Sequence, residues 1–248
     1  GNMVTITDEV KQSDLANTYS LTDGLLETSA RRVTQYVYNG DYGSNKVKFG
    51  AYYGGSSKRN IKNVDLKNNR KNTWGTGLIF NHEIDSIQNV TVAAGFTRQI
   101  SENANKTAYY SNAYALGLAY NFVHTTYGLD LAHKDTKNKG GAGNKVKNNE
   151  VTAVIRQGLN EDWNVYAMYS YKTEKTLPVG SAYSKSTDRQ FLVGTEYYVF
   201  KQGSVKVKPF IEWQATRTKY ENTFDKDSGK QLDRSRDFKT VIGLRAYW

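Results

Sequence analysis

The sequence predicts an all-β protein, a transmembrane antiparallel β-barrel, and three observations carry that reading. Apolar and polar residues alternate with period two over runs of roughly ten residues. The connections between those runs alternate between short and long. The 248-residue chain uses Tyr 19 times and Gly 21 times, has only 2 Pro and no Cys, and is 38% hydrophobic, which is thin for a soluble core of this size. Apolar residues diluted one-to-one by polar ones suit a strand with a lipid face and a watery face.

Other membrane architectures fit less well. No stretch approaches the roughly 18 consecutive apolar residues of a membrane helix, so a helical membrane protein is excluded. The mean hydropathy of -0.70 averages the two faces of every strand and hides the apolar one. Absence of Cys fits an exported protein but also many cytosolic ones. Gly1-Asn2-Met3-Val4-Thr5 lacks the basic and apolar regions of an export leader, so any leader is expected upstream or already removed. Lys and Arg number 34 against 24 Asp and Glu, a formal charge of +10 that invites nucleic acid, acidic lipid or anionic solute as partner.

Read backwards from the C-terminus, Phe238, Thr240, Ile242, Leu244, Ala246 and Trp248 share one face, while Lys239, Val241, Gly243, Arg245 and Tyr247 share the other. The preceding run sets Val205, Val207, Pro209, Ile211, Trp213 and Ala215 against Lys206, Lys208, Phe210, Glu212 and Gln214. Pro209 cannot donate to a ladder, so it is expected near the strand's start or at a bulge. Trp163 to Tyr171 and Tyr114 to Phe122 alternate in the same way. The pattern marks about eleven strands, near residues 31–39, 46–54, 72–82, 89–99, 109–122, 125–135, 149–158, 162–173, 188–200, 204–218 and 237–248. Most have the length that crosses a bilayer at a tilt, about twice that of a soluble strand.

Short connections are Asn39 to Asn45, Asn81 to Gln88, Phe122 to Thr125, Gly158 to Asp162 and Lys201 to Ser204. Between them lie Gly55 to Lys71, Ile100 to Ala108, Thr136 to Asn148, Glu174 to Thr187 and Tyr220 to Arg236. Tight turns on one rim and long polar loops on the other are the pattern of an outer-membrane barrel, with the C-terminal residue at the periplasmic rim. A soluble sandwich has no reason to sort its loops by length. No linker divides the chain, so residues 1–248 are expected to form a single barrel domain.

The closing run Val241-Ile242-Gly243-Leu244-Arg245-Ala246-Tyr247-Trp248 resembles the last strand of general Gram-negative porins, which ends in an aromatic residue at the membrane rim. At the other end, Gly1-Asn2, then Asp8-Glu9, an irregular polar stretch to about Ser29, and Ser29-Ala30-Arg31-Arg32-Val33 look like a porin's fifth-strand exit, inward-folded third loop and sixth strand. Val47-Lys48-Phe49-Gly50-Ala51-Tyr52-Tyr53-Gly54 looks like the seventh. The combination most resembles the porins of Haemophilus and Pasteurella relatives, the P2 and OmpH-like group. The resemblance implies residence in the bacterial outer membrane, a homotrimer, no cofactor and passive diffusion of small hydrophilic solutes and ions. It makes residues 31–248 strands six to sixteen of a sixteen-stranded, N-terminally incomplete porin. The rival is an intact ten- or twelve-stranded barrel.

In that register residues 4–28 form the constriction loop, with Asp8, Glu9, Asp14, Asp23 and Glu27 as an acidic cluster beside Lys11. The facing base is expected to be Arg32, turned into the lumen with Thr34, Tyr36 and Tyr38 while Val33 and Val37 face out. Asn2 stands where the resemblance asks for an arginine. Acid facing base across a narrow slot sets up a transverse field that sorts ions by sign. Further pore-lining candidates are Lys46, Lys48, Arg156, Lys206, Lys208 and Arg245 against Asp130, Glu196 and Glu212, a net basic lumen that leans to anions. Lys58, Arg59, Lys62, Lys67, Arg70 and Lys71 are either solvated loop charge or partners for lipopolysaccharide phosphates.

The same residues bear on three other functions. A barrel enzyme needs His beside a nucleophile or carboxylate. His82 and His124 fall at periplasmic turns, leaving His133 with Lys134 and Asp135, so the chain is expected not to be an enzyme. Nucleic-acid binding would concentrate charge on one face, whereas here it is spread through every long loop. A substrate-specific channel for acidic sugars stays open beside the general channel.

Overall fold

The computed structural model describes residues 3–17, 21, 24–56, 69–102, 108–138, 144–178, 180, 182–224 and 228–248. Asn2, Asp23, Lys58, Arg59, Lys62 and Lys67 lie outside the described residues. Twelve strands join in one antiparallel sheet. In chain order, β1 (Met3–Val4) and β2 (Ser29–Ala30) pair with each other and bracket a single 3-10 turn, Ile6–Val10. The large sheet follows: β3 (Val33–Tyr42), β4 (Asn45–Gly54), β5 (Asn69–Asp85), β6 (Gln88–Glu102), β7 (Ala108–Phe122), β8 (Thr125–Asn138), β9 (Lys145–Gly158), β10 (Trp163–Leu177), β11 (Ser184–Tyr197), β12 (Phe200–Gln202), β13 (Val205–Glu221) and β14 (Arg234–Tyr247). Each long strand pairs with its sequence neighbour, and β14 pairs β13.

Strand positions follow the sequence pattern, but the ends differ. Pairing continues past the apolar alternation, to Glu102↔Ala108 between β6 and β7 and to Tyr109↔Asn138 between β7 and β8. Backbone ladders need no apolar side chains, so polar segments such as Thr136-Lys137-Asn138 stay paired once the register is set. The expected strand 188–200 instead ends at Tyr197 and resumes as β12. Its ladder with β13 stops at Glu196↔Phe210, next to Pro209, which has no N–H to offer.

Side-chain parity separates two faces. Phe49, Trp74, Leu78, Leu116, Leu118, Leu131, Ile155, Phe191, Ile211 and Ile242 are exposed on the outer face, as suits contact with hydrocarbon. Near its rims aromatic rings meet across strands: Trp74–Phe96 and Phe96–Tyr114 at 5.0 Å, and Trp213–Phe238 at 6.1 Å. On β3 the faces are the reverse of the expected ones. Val33, Gln35 and Val37 turn inward because the inner segment packs there, with the Ile6 amide donating to Gln35 Oε1 at 2.8 Å, whereas Thr34, Tyr36 and Tyr38 are exposed outside.

The inner face holds that segment through glycines. Gly50, Gly77 and Gly95 lie side by side in register on β4, β5 and β6. A Cβ on Gly50 would stand 2.9 Å from the Ile6 side chain, and one on Gly95 would stand 2.7 Å from Leu26. At Gly117 the obstacle is backbone, since a Cβ would lie 2.1 Å from the Val10 carbonyl oxygen, and at Gly128 it would lie 2.5 Å from that of Gln12. Glycine within a strand marks such close approach. Small apolar clusters finish the seat, with Val10 and Leu26 among Ala93, Ala113, Ala115 and Ala132, and Leu21 among Val154, Met168 and Leu192.

Gly117→Val is therefore expected to unseat the segment at Val10 and destabilise the fold by about 1–3 kcal/mol. The temperature at which the folded, fast-migrating gel species disappears should fall. An unchanged transition would show that the segment does not touch β7.

Candidate functional site

The site is the inner segment and the charged wall that grips it. Asp130, inward on β8, accepts the Gln12 amide at 2.9 Å, the Ser13 amide at 2.8 Å and the Ser13 hydroxyl at 2.6 Å. Glu150 on β9 accepts the Gly24 amide at 3.3 Å. Glu212 on β13 accepts the Asn17 amide at 2.5 Å and the Tyr166 hydroxyl at 2.6 Å. The Asn17 side-chain amide donates to the Tyr166 hydroxyl at 2.8 Å and to Glu196 Oε2 at 2.7 Å. Glu196 also accepts Lys208 Nζ at 2.5 Å, Asn164 Nδ2 at 3.2 Å and the Arg156 guanidinium. Amides donating to carboxylates form charge-assisted bonds, stronger than neutral ones. All four carboxylates are buried, and a buried charge persists only when it is so paired.

Every inward candidate on β4, β8, β9, β11, β13 and β14 occupies the inner parity: Lys46, Lys48, Asp130, Arg156, Glu196, Lys206, Lys208, Glu212 and Arg245. They divide into two groups. Asp130, Arg156, Glu196, Lys208 and Glu212 are consumed in holding the segment. The others stay in reach of solvent: Lys48 meets Glu9 at 2.5 Å, Lys46 meets Glu83 at 3.1 Å, and Lys206 and Arg245 are exposed near the rim where β14 ends. Lys11 lies between Asp8 at 4.0 Å and Asp14 at 3.8 Å. Glu27 reaches Lys134 at 3.2 Å. Lys48, not Arg32, is thus the wall cation that meets the Asp8–Glu9 pair. Arg32 is exposed ahead of β3, at a positive φ of 51°.

Asn17, Glu150 and Tyr166 were missed by sequence reasoning. Parity alone puts Glu150 and Tyr166 on the inner face with Arg156 and Met168, so both were within reach of the pattern. Nothing in the sequence marks Asn17, whose role depends on three strands that converge only in the folded wall. Of the histidines, His82 meets Asn45 at 2.8 Å, and His133 stands on the outer face between Asn149 at 2.7 Å and Asp135 at 3.0 Å.

Long strands with an apolar outer face, aromatic rims and a polar inner face define the class: an outer-membrane β-barrel. Solved structures agree. The chain is similar to in-vitro folded OmpT, an outer membrane protein of Vibrio cholerae, with a TM-score of 0.64 and 16% identity over 100% of this chain and 75% of that one. A loop L8 deletion mutant of that protein gives 0.62 and 17%, over 100% and 74%. An anion-selective porin from Comamonas acidovorans gives 0.52 and 16%, over 89% and 59%. No protein-family model matches the chain, and no curated protein matches it in sequence. The architecture is that of a protein of the bacterial outer membrane, and at these identities the likeness is one of fold.

The chain was expected not to be an enzyme, and the neighbours overturn that exclusion: the structures named OmpT share only the fold, at 16–17% identity, and a shared barrel does not separate conduction from catalysis.

Asp130→Ala removes the acceptor of two backbone amides and should loosen the segment at a local cost of about 1–3 kcal/mol. Limited proteolysis of the folded barrel is expected to cut between residues 11 and 27 in the variant and not in the wild type. Equal resistance in both would mean that Asp130 does not hold the segment.

Proposed function

We propose that the chain forms the wall and inner loop of a passive outer-membrane channel of porin type, passing small hydrophilic solutes and ions with a preference for anions. The observation that carries this reading is the division of inward charge. Asp130, Glu150, Glu196 and Glu212 are turned onto the inner segment and buried, whereas Lys206 and Arg245 stay exposed and, among the described residues, are not ion-paired with a carboxylate. Carboxylates used up in this way contribute little field to the lumen, while exposed cations raise the local concentration of anions. Residues 4–28 act as the constriction, where Glu9 is bonded to Lys48 of the wall and Asp8 and Asp14 flank Lys11.

The long strands from β3 to β14 are read as strands six to sixteen of a sixteen-stranded wall, in a porin akin to the P2 and OmpH-like group. Among the described residues no pairing joins β3 to β14, and lipid does not tolerate open sheet edges, which supports a wall of more strands. One neighbour is described in a trimer form, and a homotrimer surrounded by outer-membrane lipid is the assembly that fits this reading.

Planar-bilayer recording of the complete protein under a KCl gradient is the test. Stable, weakly selective steps with a reversal potential of anion sign are expected. Replacing Lys206 and Arg245 by Gln should shift that potential toward zero without abolishing the steps. Folded protein that does not conduct, or a cation-sign potential in the wild type, would sink the proposal.

A further inference from the structure

The lipid-facing side of β11, β13 and β14 ends upward in arginine. On β14 the outward positions from Trp248 to Phe238 make one crossing of the bilayer, which takes about 9–11 residues, and the next outward residue is Arg236. On β13, Trp213 and Ala215 are followed by Arg217. On β11 the residue beyond Phe191 is Arg189. The register sets Arg189 opposite Arg217 and Arg217 opposite Arg236, so three exposed guanidiniums stand abreast on neighbouring strands. Like charges directly opposite destabilise a sheet. Among the described residues none of the three is paired with a carboxylate. The adjacent acids Asp188 and Asp237 have inward parity, with Asp237 held by Lys239 at 3.1 Å, and the cations above are already paired, Lys219 with Glu221 at 3.6 Å and Arg234 with Asp233 at 3.8 Å, so the three arginines alone carry the free charge of this row among the described residues.

Directly below the arginines is a hollow. Ala215 lies in register between Phe191 and Phe238, and its methyl group leaves a gap that the two rings and Tyr169 border. An apolar depression capped by unpaired guanidiniums, at the height where the apolar band ends, is complementary to an amphiphile with hydrocarbon below and phosphate above. Guanidinium binds phosphate with two parallel hydrogen bonds, and does so best at the edge of a low-dielectric region.

We infer that this surface seats a phosphate-bearing glycolipid of the outer leaflet, with an acyl chain over Ala215 and a phosphate on Arg189, Arg217 and Arg236. The seat requires the outer-membrane placement but not conduction, so bilayer recordings and lipid binding fail independently.

Binding to the folded full chain in detergent micelles is measured by native mass spectrometry, using bisphosphorylated lipid A and the same lipid without its phosphates. The phosphorylated form is expected to bind about tenfold tighter or more. Arg189→Gln/Arg217→Gln/Arg236→Gln should bring it down to the level of the phosphate-free lipid, and Ala215→Trp should weaken both. Inorganic phosphate at matched concentration should not displace the lipid. Equal binding of the two lipids, full binding by the triple variant, displacement by phosphate alone, or equally tight binding of phosphatidylglycerol would each overturn the inference. Should the triple variant not fold, the comparison of the two lipids on wild-type protein and on the single variant Arg217→Gln decides.

Discussion

The structure depends on a polypeptide segment lying against the inside of the wall, where Ile6, Val10, Leu21 and Leu26 are buried in small apolar clusters. Two further devices hold its backbone. Glycines remove the side chains that would keep its backbone away, so that the Val10 and Gln12 carbonyls come up against β7 and β8. Buried carboxylates then take its amides, Gln12 and Ser13 on Asp130, Asn17 on Glu212, Gly24 on Glu150. Neither works alone. Without the glycines the amides are held out of reach, and without the carboxylates those amides are buried with no acceptor.

This arrangement changes what a charged residue on a barrel's inner face signifies. By parity alone Asp130, Glu196 and Glu212 look like lumen charges of the same standing as Lys206 or Arg245. Packing separates them: Glu196 is surrounded by Lys208, Arg156, Asn164 and Asn17 and serves as the centre of a bracket. A carboxylate with two cations and two amides around it is a structural group, whatever its position on the strand.

Much of the wall was legible in the sequence because a lipid-facing strand writes its period directly into the residues. The outward row Phe238, Ile242, Leu244 and Trp248 is found where alternation put it, and Pro209 interrupts a ladder as its missing N–H requires. Strand ends were less legible, since above the membrane no apolar face reports where pairing stops. β3 was misread for a related reason. Val33 and Val37 look lipid-facing by polarity, yet they pack inside the wall against the cluster of Ile6, Ala30 and Tyr52, so an apolar side chain there has two possible neighbours. The inner row of Gly50, Gly77, Gly95, Gly117 and Gly128 was visible all along, but its meaning depends on a segment that local sequence does not connect to it. Arg32 and Lys48 differ in the same way, because Lys48 meets Glu9 through folding of the loop and not through strand parity.

The anchors also bear on the order of assembly. Gln12 is separated from Asp130 by 118 residues, and Asn17 from Glu212 by 195. Contacts so remote along the chain carry a larger loop-closure cost than the intervening hairpins, each of which pairs with its sequence neighbour. The segment precedes in the chain every strand that grips it. A segment placed ahead of the strands that grip it is thus available to them as a mandrel, and the bond from Asn17 to Glu212, the most remote of these anchors along the chain, closes the longest loop.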